Sequence, residues 1–352
     1  MSRRLRSLAF AVGLTLFALF IYRVGPSELL ANARRTGWLL LPIVGLWALV
    51  YGLTTASWRL ILADEPGLPP FTTMLAATIS GWSINYMTPF FSVGGEPFKV
   101  AAATSWIGNR RRAAASVMTH RLLFTMAHLI SLMLGVAIGV ALFPHHPLTL
   151  LALGAAGIVV LGFIALVLMV HRQGIFEKFL NAAHRTPGLR ALARVIEPRR
   201  EALVELDHHI RTFHHGSPRR FWTALALEFV ARSLIMVEYV LILTSVGVAV
   251  SYAEAYAIGT ITGMVGMALF IIPFEMGTKE GAFYAVFGAM GIDPHLGVYT
   301  AIINRIWEVC WIAMGLALIW LQGGARQVVA VVEHAKHVVE PKRDGTELGS
   351  PQ

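Results

Sequence analysis

Apolar runs of about twenty residues, separated by short charged links, constrain this chain more than any other feature, because a bilayer core about 30 Å thick needs roughly that many helical residues to cross it. Runs of that kind cover Trp38–Leu62, Ala113–Leu142, Leu148–Val170, Phe221–Val246 and Gly297–Leu321, with a shorter one over Leu8–Tyr22. Two more apolar regions, Phe71–Ile107 and Tyr252–Gly291, are interrupted by Pro, Gly and charge. Hydrophobic residues make up 56% of the chain and charged ones 14%, more apolar surface than a soluble domain can keep from water. The expected fold class is an all-α polytopic membrane protein of about six full spans plus two re-entrant broken hairpins.

The net charge of +9 collects between the runs, which points to membrane topology rather than to a nucleic-acid footprint. Arg3, Arg4 and Arg6 precede the first run and no small-residue cleavage site follows it, so it reads as a retained span with its N-terminus inside. In the polar stretch 171–220, Lys and Arg outnumber Asp and Glu, which puts it on the cytoplasmic side with Arg110–Arg112 and the basic tail. Apolar positions recur there at helical spacing, as in amphipathic helices lying in the interface or packed on the protein. Arg23, Arg34 and Arg35 fall on the outer side in this scheme, which does not explain them. The single cysteine, Cys310, lies in an apolar run and reads as a packing residue. The expected domain layout is one integral unit over 1–325, with repeat halves at about 38–142 and 221–322, an insert at 171–220 and a partly disordered tail at 326–352.

The chain matches itself at an offset of 184 residues. Pro89-Phe90 falls on Pro273-Phe274, Glu96 on Glu280, Arg121 on Arg305 and Trp38 on Trp222. Each half reads as a span, a broken segment with Pro-Phe and then Glu, and a span carrying Arg. One extra run, Leu148–Val170, separates the halves, so parity inverts the second relative to the first. The arms after each break are too short to span, which predicts a re-entrant hairpin from each face. Hairpin tips are expected at Pro89, Gly94 and Gly95 in the first half and at Pro273, Gly277 and Thr278 in the second. Each short arm would then begin with its positive dipole end deep in the membrane.

Intramembrane charge is costly and functional by default. The candidate substrate-binding residues are therefore Glu96, Arg121, Glu280, Arg305, Lys99, Lys279, Asn85 and Asn304. Glu96–Arg121 and Glu280–Arg305 are also readable as ion pairs that pin each hairpin to its following span, and both roles can coexist. Glu228 and Arg232, four apart on one helix, read as a structural pair. Glu238, Arg59, His120 and Glu308 are further candidates for the same cavity, and Trp38, Trp58, Trp82, Trp106, Trp222 and Trp320 read as interface anchors. His145-His146, His208-His209 and His214-His215 read as loop residues, so no metal or cofactor is expected.

At Asn85-Tyr86-Met87-Thr88-Pro89, Gly94-Gly95-Glu96 and Arg121, then at Pro273, Gly277 and Glu280, the sequence resembles the flippase-like family that includes the transmembrane region of lysylphosphatidylglycerol synthases. The resemblance covers about residues 5–325. It departs from the family at Phe274-Glu275-Met276, where that pattern is richer in Gly, and it leaves no room for the tRNA-dependent aminoacyl transferase domain of the two-part synthases. It implies translocation of a lipid across a bacterial inner membrane with both termini cytoplasmic, and not lipid synthesis. The partners it implies are membrane lipids (phospholipid, glycolipid or hopanoid), with a second copy of the chain or lipid-pathway enzymes as protein partners and no nucleic acid. Two alternatives stay open: an intramembrane lipid-modifying transferase, for which no catalytic motif is found, and a non-transporting scaffold of a lipid or hopanoid pathway.

Overall fold

The structure is a computed structural model and describes residues 26–87, 95–142, 216–268 and 278–321, with Tyr22 and Gly154. The runs Leu8–Tyr22 (but for Tyr22) and Leu148–Val170 (but for Gly154), the stretch 171–215, the tail 326–352 and the tip residues Pro89, Gly94, Pro273 and Gly277 lie outside the described residues. Within them the chain is helical: α1 Pro26–Thr36, a single 3-10 turn at Gly37–Leu39, α2 Leu40–Ile61, α3 Phe71–Met87, α4 Gly95–Ile107, α5 Arg110–Leu142, α6 Pro218–Ser245, α7 Tyr252–Ala268, α8 Thr278–Ala289 and α9 Pro294–Leu321. Among the described residues, three stretches are long and apolar enough to cross a bilayer, Leu30–Ile61, Arg110–Leu142 and Pro294–Leu321. α6, with 28 residues, is long enough at about 42 Å but carries Glu228, Arg232 and Glu238 in its middle.

Local chemistry sets the helix ends. Asn109 caps α5, its Oδ1 accepting from the Arg111 and Arg112 amides at 3.0 and 3.2 Å, and Asp293 caps α9 by accepting from the His295 amide at 3.0 Å. Asn109 and Asp293 are 184 residues apart, as are Ile61 and Ser245 at the ends of α2 and α6, and Arg110 and Pro294 at the starts of α5 and α9. α4 and α8 each stop ahead of a left-handed glycine, Gly108 and Gly291, both at φ 73°, a conformation other residues adopt only with strain. Ser251 and Glu254 form a reciprocal capping box at the start of α7. Hydrogen bonds from the Ser251 amide and hydroxyl hold the Glu254 carboxyl below its ordinary value.

Packing repeats as the caps do. One apolar cluster joins α2, α3, α4 and α5 through Trp58, Met74, Ala103 and Val117, and another joins α6, α7, α8 and α9 through Leu243, Ile258, Phe283 and Ala301. A third, with Ile43, Trp47, Ile79, Ala231, Ile303 and Trp307, ties α2, α3, α6 and α9 together across the two sets. Two crossings bring helices close on small residues, as packing within lipid requires. A Cβ added at Gly315 of α9 would meet Ser83 Oγ of α3 at 1.9 Å, and one at Gly135 of α5 would meet Thr260 Oγ1 of α7 at 1.8 Å.

Polar contacts show which ends meet. After α2, Asp64 pairs with Arg220 at the start of α6 and Glu65 with Arg112 at the start of α5, each at 2.8 Å. Far from these, the Tyr299 hydroxyl near the start of α9 bonds Thr36 at 2.7 Å and Ser245 at the end of α6 at 3.0 Å. α5 therefore begins at the basic end of the molecule and α9 at the other. The Arg35 guanidinium lies over the Tyr299 ring at 4.9 Å, which gives this arginine the structural role the sequence did not supply.

Three sequence expectations are corrected. Cys310 is exposed, not packed. Trp58 is fully buried and Trp82 lines an internal cavity, whereas Trp38, Trp222 and Trp320 are exposed as interface anchors should be. Glu228 makes no ion pair with Arg232 but bonds across to His120. The cause is the same each time: apolar or charged character on a span gives no sign of which helix face meets protein and which meets lipid.

Candidate functional site

α4 is placed by its glycines. A Cβ at Gly95 would lie 1.9 Å from the Gly81 carbonyl oxygen of α3, and one at Gly81 would lie 3.1 Å from the Lys99 stem. This close approach lets the Asn85 side chain reach α4. Asn85 Oδ1 accepts the Gly95 amide at 2.5 Å, and its Nδ2 donates to Glu96 Oε1 at 3.4 Å. The Arg121 guanidinium of α5 donates to the same oxygen at 3.2 Å. The amide at the start of α4 is thus occupied by the protein's own carbonyl group, and Glu96 sits on the positive dipole end.

Asn85, Glu96, Lys99 and Arg121 converge on one cavity of about 130 Å³, together with Trp47, Tyr51, Trp82, His120, Phe124 and Arg232. Its charges are unbalanced. Among the described residues of the lining, Lys99, Arg121 and Arg232 face one carboxylate, Glu96, which is already bonded to Arg121, with Glu228 just behind the wall. Lys99 is 9% exposed and rests over the Trp58 ring at 5.6 Å, with no ion pair among the described residues. Arg232 and Arg121 lie over the Phe124 ring at 4.4 and 5.2 Å, and the buried Arg232 Nε has no hydrogen-bond partner. Buried Glu96 Oε2 and Tyr51 Oη are also without one. Such groups cost free energy in a low-dielectric interior unless something fills the cavity.

Behind the cavity, His120 Nε2 lies 3.0 Å from Glu228 Oε1 and 3.1 Å from the Thr54 carbonyl oxygen. Two acceptors on one ring nitrogen assign it the hydrogen. Thr54 also donates to Glu228 at 3.5 Å.

The other four candidate side chains lie elsewhere. Arg305, with no solvent exposure, donates to Glu280 Oε1 at 3.3 Å, to Glu308 Oε2 at 3.2 Å and to the Tyr86 hydroxyl at 2.9 Å. Lys279 bonds Glu308 at 2.5 Å, and the Tyr86 hydroxyl donates to Glu308 too. Two cations and two carboxylates balance there, and Tyr86 of α3 joins this network to the helix that carries Asn85. Asn304 forms a third group, donating to the buried Glu238, which also accepts from Trp47 Nε1 at 3.0 Å. Glu96–Arg121 and Glu280–Arg305 are contacts at matching positions of the two helix sets, yet only the first reaches the cavity. Thr278 begins α8 and Gly95 begins α4. Arg59 donates to the Pro69 carbonyl.

Sequence reasoning did not assign Arg232 or the aromatic wall to this cavity. Trp47 stacks on Trp307 with centroids 3.7 Å apart, and Trp82 and Tyr51 tilt against it at 6.3 and 5.8 Å. Arg232 has an acid one helical turn away, which masked it. Its signal lay in geometry alone, with Glu228 turned toward α5.

The family model of the lysylphosphatidylglycerol synthase TM region matches residues 6–321, and no aminoacyl transferase domain is indicated in the sequence. No curated protein and no solved structure matches the chain. The chain therefore belongs to the lysylphosphatidylglycerol synthase TM region family, a family of membrane proteins related to lipid metabolism.

Proposed function

We propose that this protein is a lipid translocator of the bacterial inner membrane and not an enzyme. The observation that carries the proposal is the cavity with Lys99, Arg121, Arg232 and Glu96 among bilayer-crossing helices, because polar cavities at membrane depth mark substrate paths. An anionic or zwitterionic headgroup enters the cavity while the acyl chains stay in lipid. The volume favours this division: about 150 Å³ takes one benzene, so 130 Å³ has room for a small headgroup and none for two chains.

The two helix sets act as inverted halves, each a span, a re-entrant pair and a span, within one integral domain over 1–325. The matching caps and the opposite starts of α5 and α9 support this reading. The basic end, with Arg110–Arg112, Arg219 and Arg220, is cytoplasmic, and both termini lie on that side. Rocking of the halves exposes the headgroup to the other leaflet, with the Arg305 network as the second half's charged counterpart.

The test is exchange of a fluorescent phospholipid between leaflets of proteoliposomes, read by quenching of the outer leaflet. Arg121→Ala should lower the rate about tenfold or more, as expected when a charge-assisted contact is lost, while circular dichroism stays helical. Wild-type exchange no faster than in empty vesicles would remove the transport reading. Product formation from a labelled donor by the pure protein would favour a transferase.

A further inference from the structure

We infer that the cavity selects a net-anionic phosphate headgroup and rejects an aminoacylated, cationic one, so the lipid handled here is not the lysine-bearing lipid of the family name. This inference rests on the translocator reading and narrows its substrate.

Charge balance leads to this conclusion. Among the described residues, Lys99, Arg121 and Arg232 line the space, and Glu96 is the one carboxylate in the lining. Glu96 Oε1 is already shared by Arg121 at 3.2 Å and Asn85 at 3.4 Å, and its Oε2 has no hydrogen-bond partner among the described residues. Behind the wall Glu228 bonds His120 and still offsets part of the charge of Lys99 and Arg232, while Glu238 accepts from Trp47 and Asn304. Three cations against Glu96 and Glu228 still leave an excess of positive charge, and a lysine ester of a glycerol headgroup, with two ammonium groups against one phosphate, would add to it. A phosphodiester alone brings the opposite sign. Its two non-bridging oxygens can take the Lys99 ammonium and the Arg232 guanidinium, forming charge-assisted bonds in a low-dielectric site.

The anion-holding groups thus differ from those the broken-helix pattern suggests. The start of α4 is filled by Asn85 and Glu96, so the free positive charge comes from the side of α4, at Lys99, and from α6, at Arg232. The stem of Lys99 lies against Gly81, where a Cβ would come within 3.1 Å, and its ammonium sits over the Trp58 ring at 5.6 Å. Arg121 and Arg232 lie over one ring, Phe124, so an incoming phosphate meets two guanidinium groups.

The test uses the full-length chain in detergent, with binding followed by intrinsic tryptophan fluorescence. The probes are short-chain phosphatidylglycerol, short-chain lysylphosphatidylglycerol and glycerophosphate, which has no acyl chains. Phosphatidylglycerol should bind about tenfold or more tighter than its lysine ester, a gap of about 1.4 kcal/mol, and more weakly as salt rises. Lys99→Gln and Arg232→Gln should each weaken phosphatidylglycerol about tenfold while changing the lysine ester by less than about threefold, and Lys99→Arg should retain most of the binding. Equal or tighter binding of the lysine ester to the wild-type protein would overturn the inference without any variant. Glycerophosphate competing as well as the short-chain lipid would make the ligand a soluble phosphate and overturn the lipid assignment. Because the readout is binding, selective capture without leaflet exchange would sink the translocator reading and leave the site, whereas exchange with the opposite selectivity would do the reverse.

Discussion

His120 and Glu228 show how one residue pair holds three helices while leaving a neighbour available. His120 on α5 satisfies Glu228 on α6, and both meet Thr54 on α2, so the acid nearest Arg232 in sequence is spent elsewhere. Removing one member strands the other in a dry interior, a loss of about 3–5 kcal/mol for buried pairs. His120→Leu should therefore lower the melting temperature in detergent by several degrees or more. The double change His120→Leu with Glu228→Leu should recover much of that, since two apolar groups need no partner. A double variant less stable than the single one would mean that this pair is not the main contact. Tyr86 is a second pivotal residue, because it is the α3 group that touches Arg305 and Glu308. Tyr86→Phe should slow leaflet exchange while the cavity still binds phosphatidylglycerol, separating coupling between the halves from headgroup capture.

At the scale of elements, close backbone approach adds to the apolar clusters that hold the short helices. Gly95 against Gly81, and Gly135 and Gly315 beneath Thr260 and Ser83, let the broken helices sit against the long ones. Gly315→Val would drive a branched side chain into Ser83 and the α3 backbone, so it should reduce folded yield by size-exclusion chromatography far more than Gly52→Val, whose site is open. The repeat proposed from the sequence rests on Pro, Gly, Glu and Arg, which are rare inside spans and keep their spacing. The helix boundaries follow it closely: α5 and α9 start 184 residues apart, each on a capping Asn or Asp. The lipid-facing and protein-facing sides of each helix were not legible, because both are apolar, and this is why Trp58 and Cys310 were misplaced.

For the whole molecule, the ends that meet bear on the inverted arrangement proposed above. Asp64–Arg220 and Glu65–Arg112 close the basic end, and Thr36, Tyr299 and Ser245 meet at the other. Arg111 and His295 are exposed and 184 residues apart. With Cys310 changed to Ser, Arg111→Cys should react with an impermeant thiol reagent only from the cytoplasm and His295→Cys only from outside. Labelling of both from one side would rule out inverted halves.

The amino-acid sequence by itself determined that the chain is a helical membrane protein, where its spans break and which polar residues recur, since hydrophobic length and the rarity of intramembrane charge are local properties of the chain. Only the tertiary structure decided how those charges pair. It balanced the Arg305 network, spent Glu228 on His120 and left Lys99 and Arg232 facing an aromatic-walled cavity. Ion pairing depends on a few ångströms between helices remote in sequence, and one helical turn of rotation changes every partner.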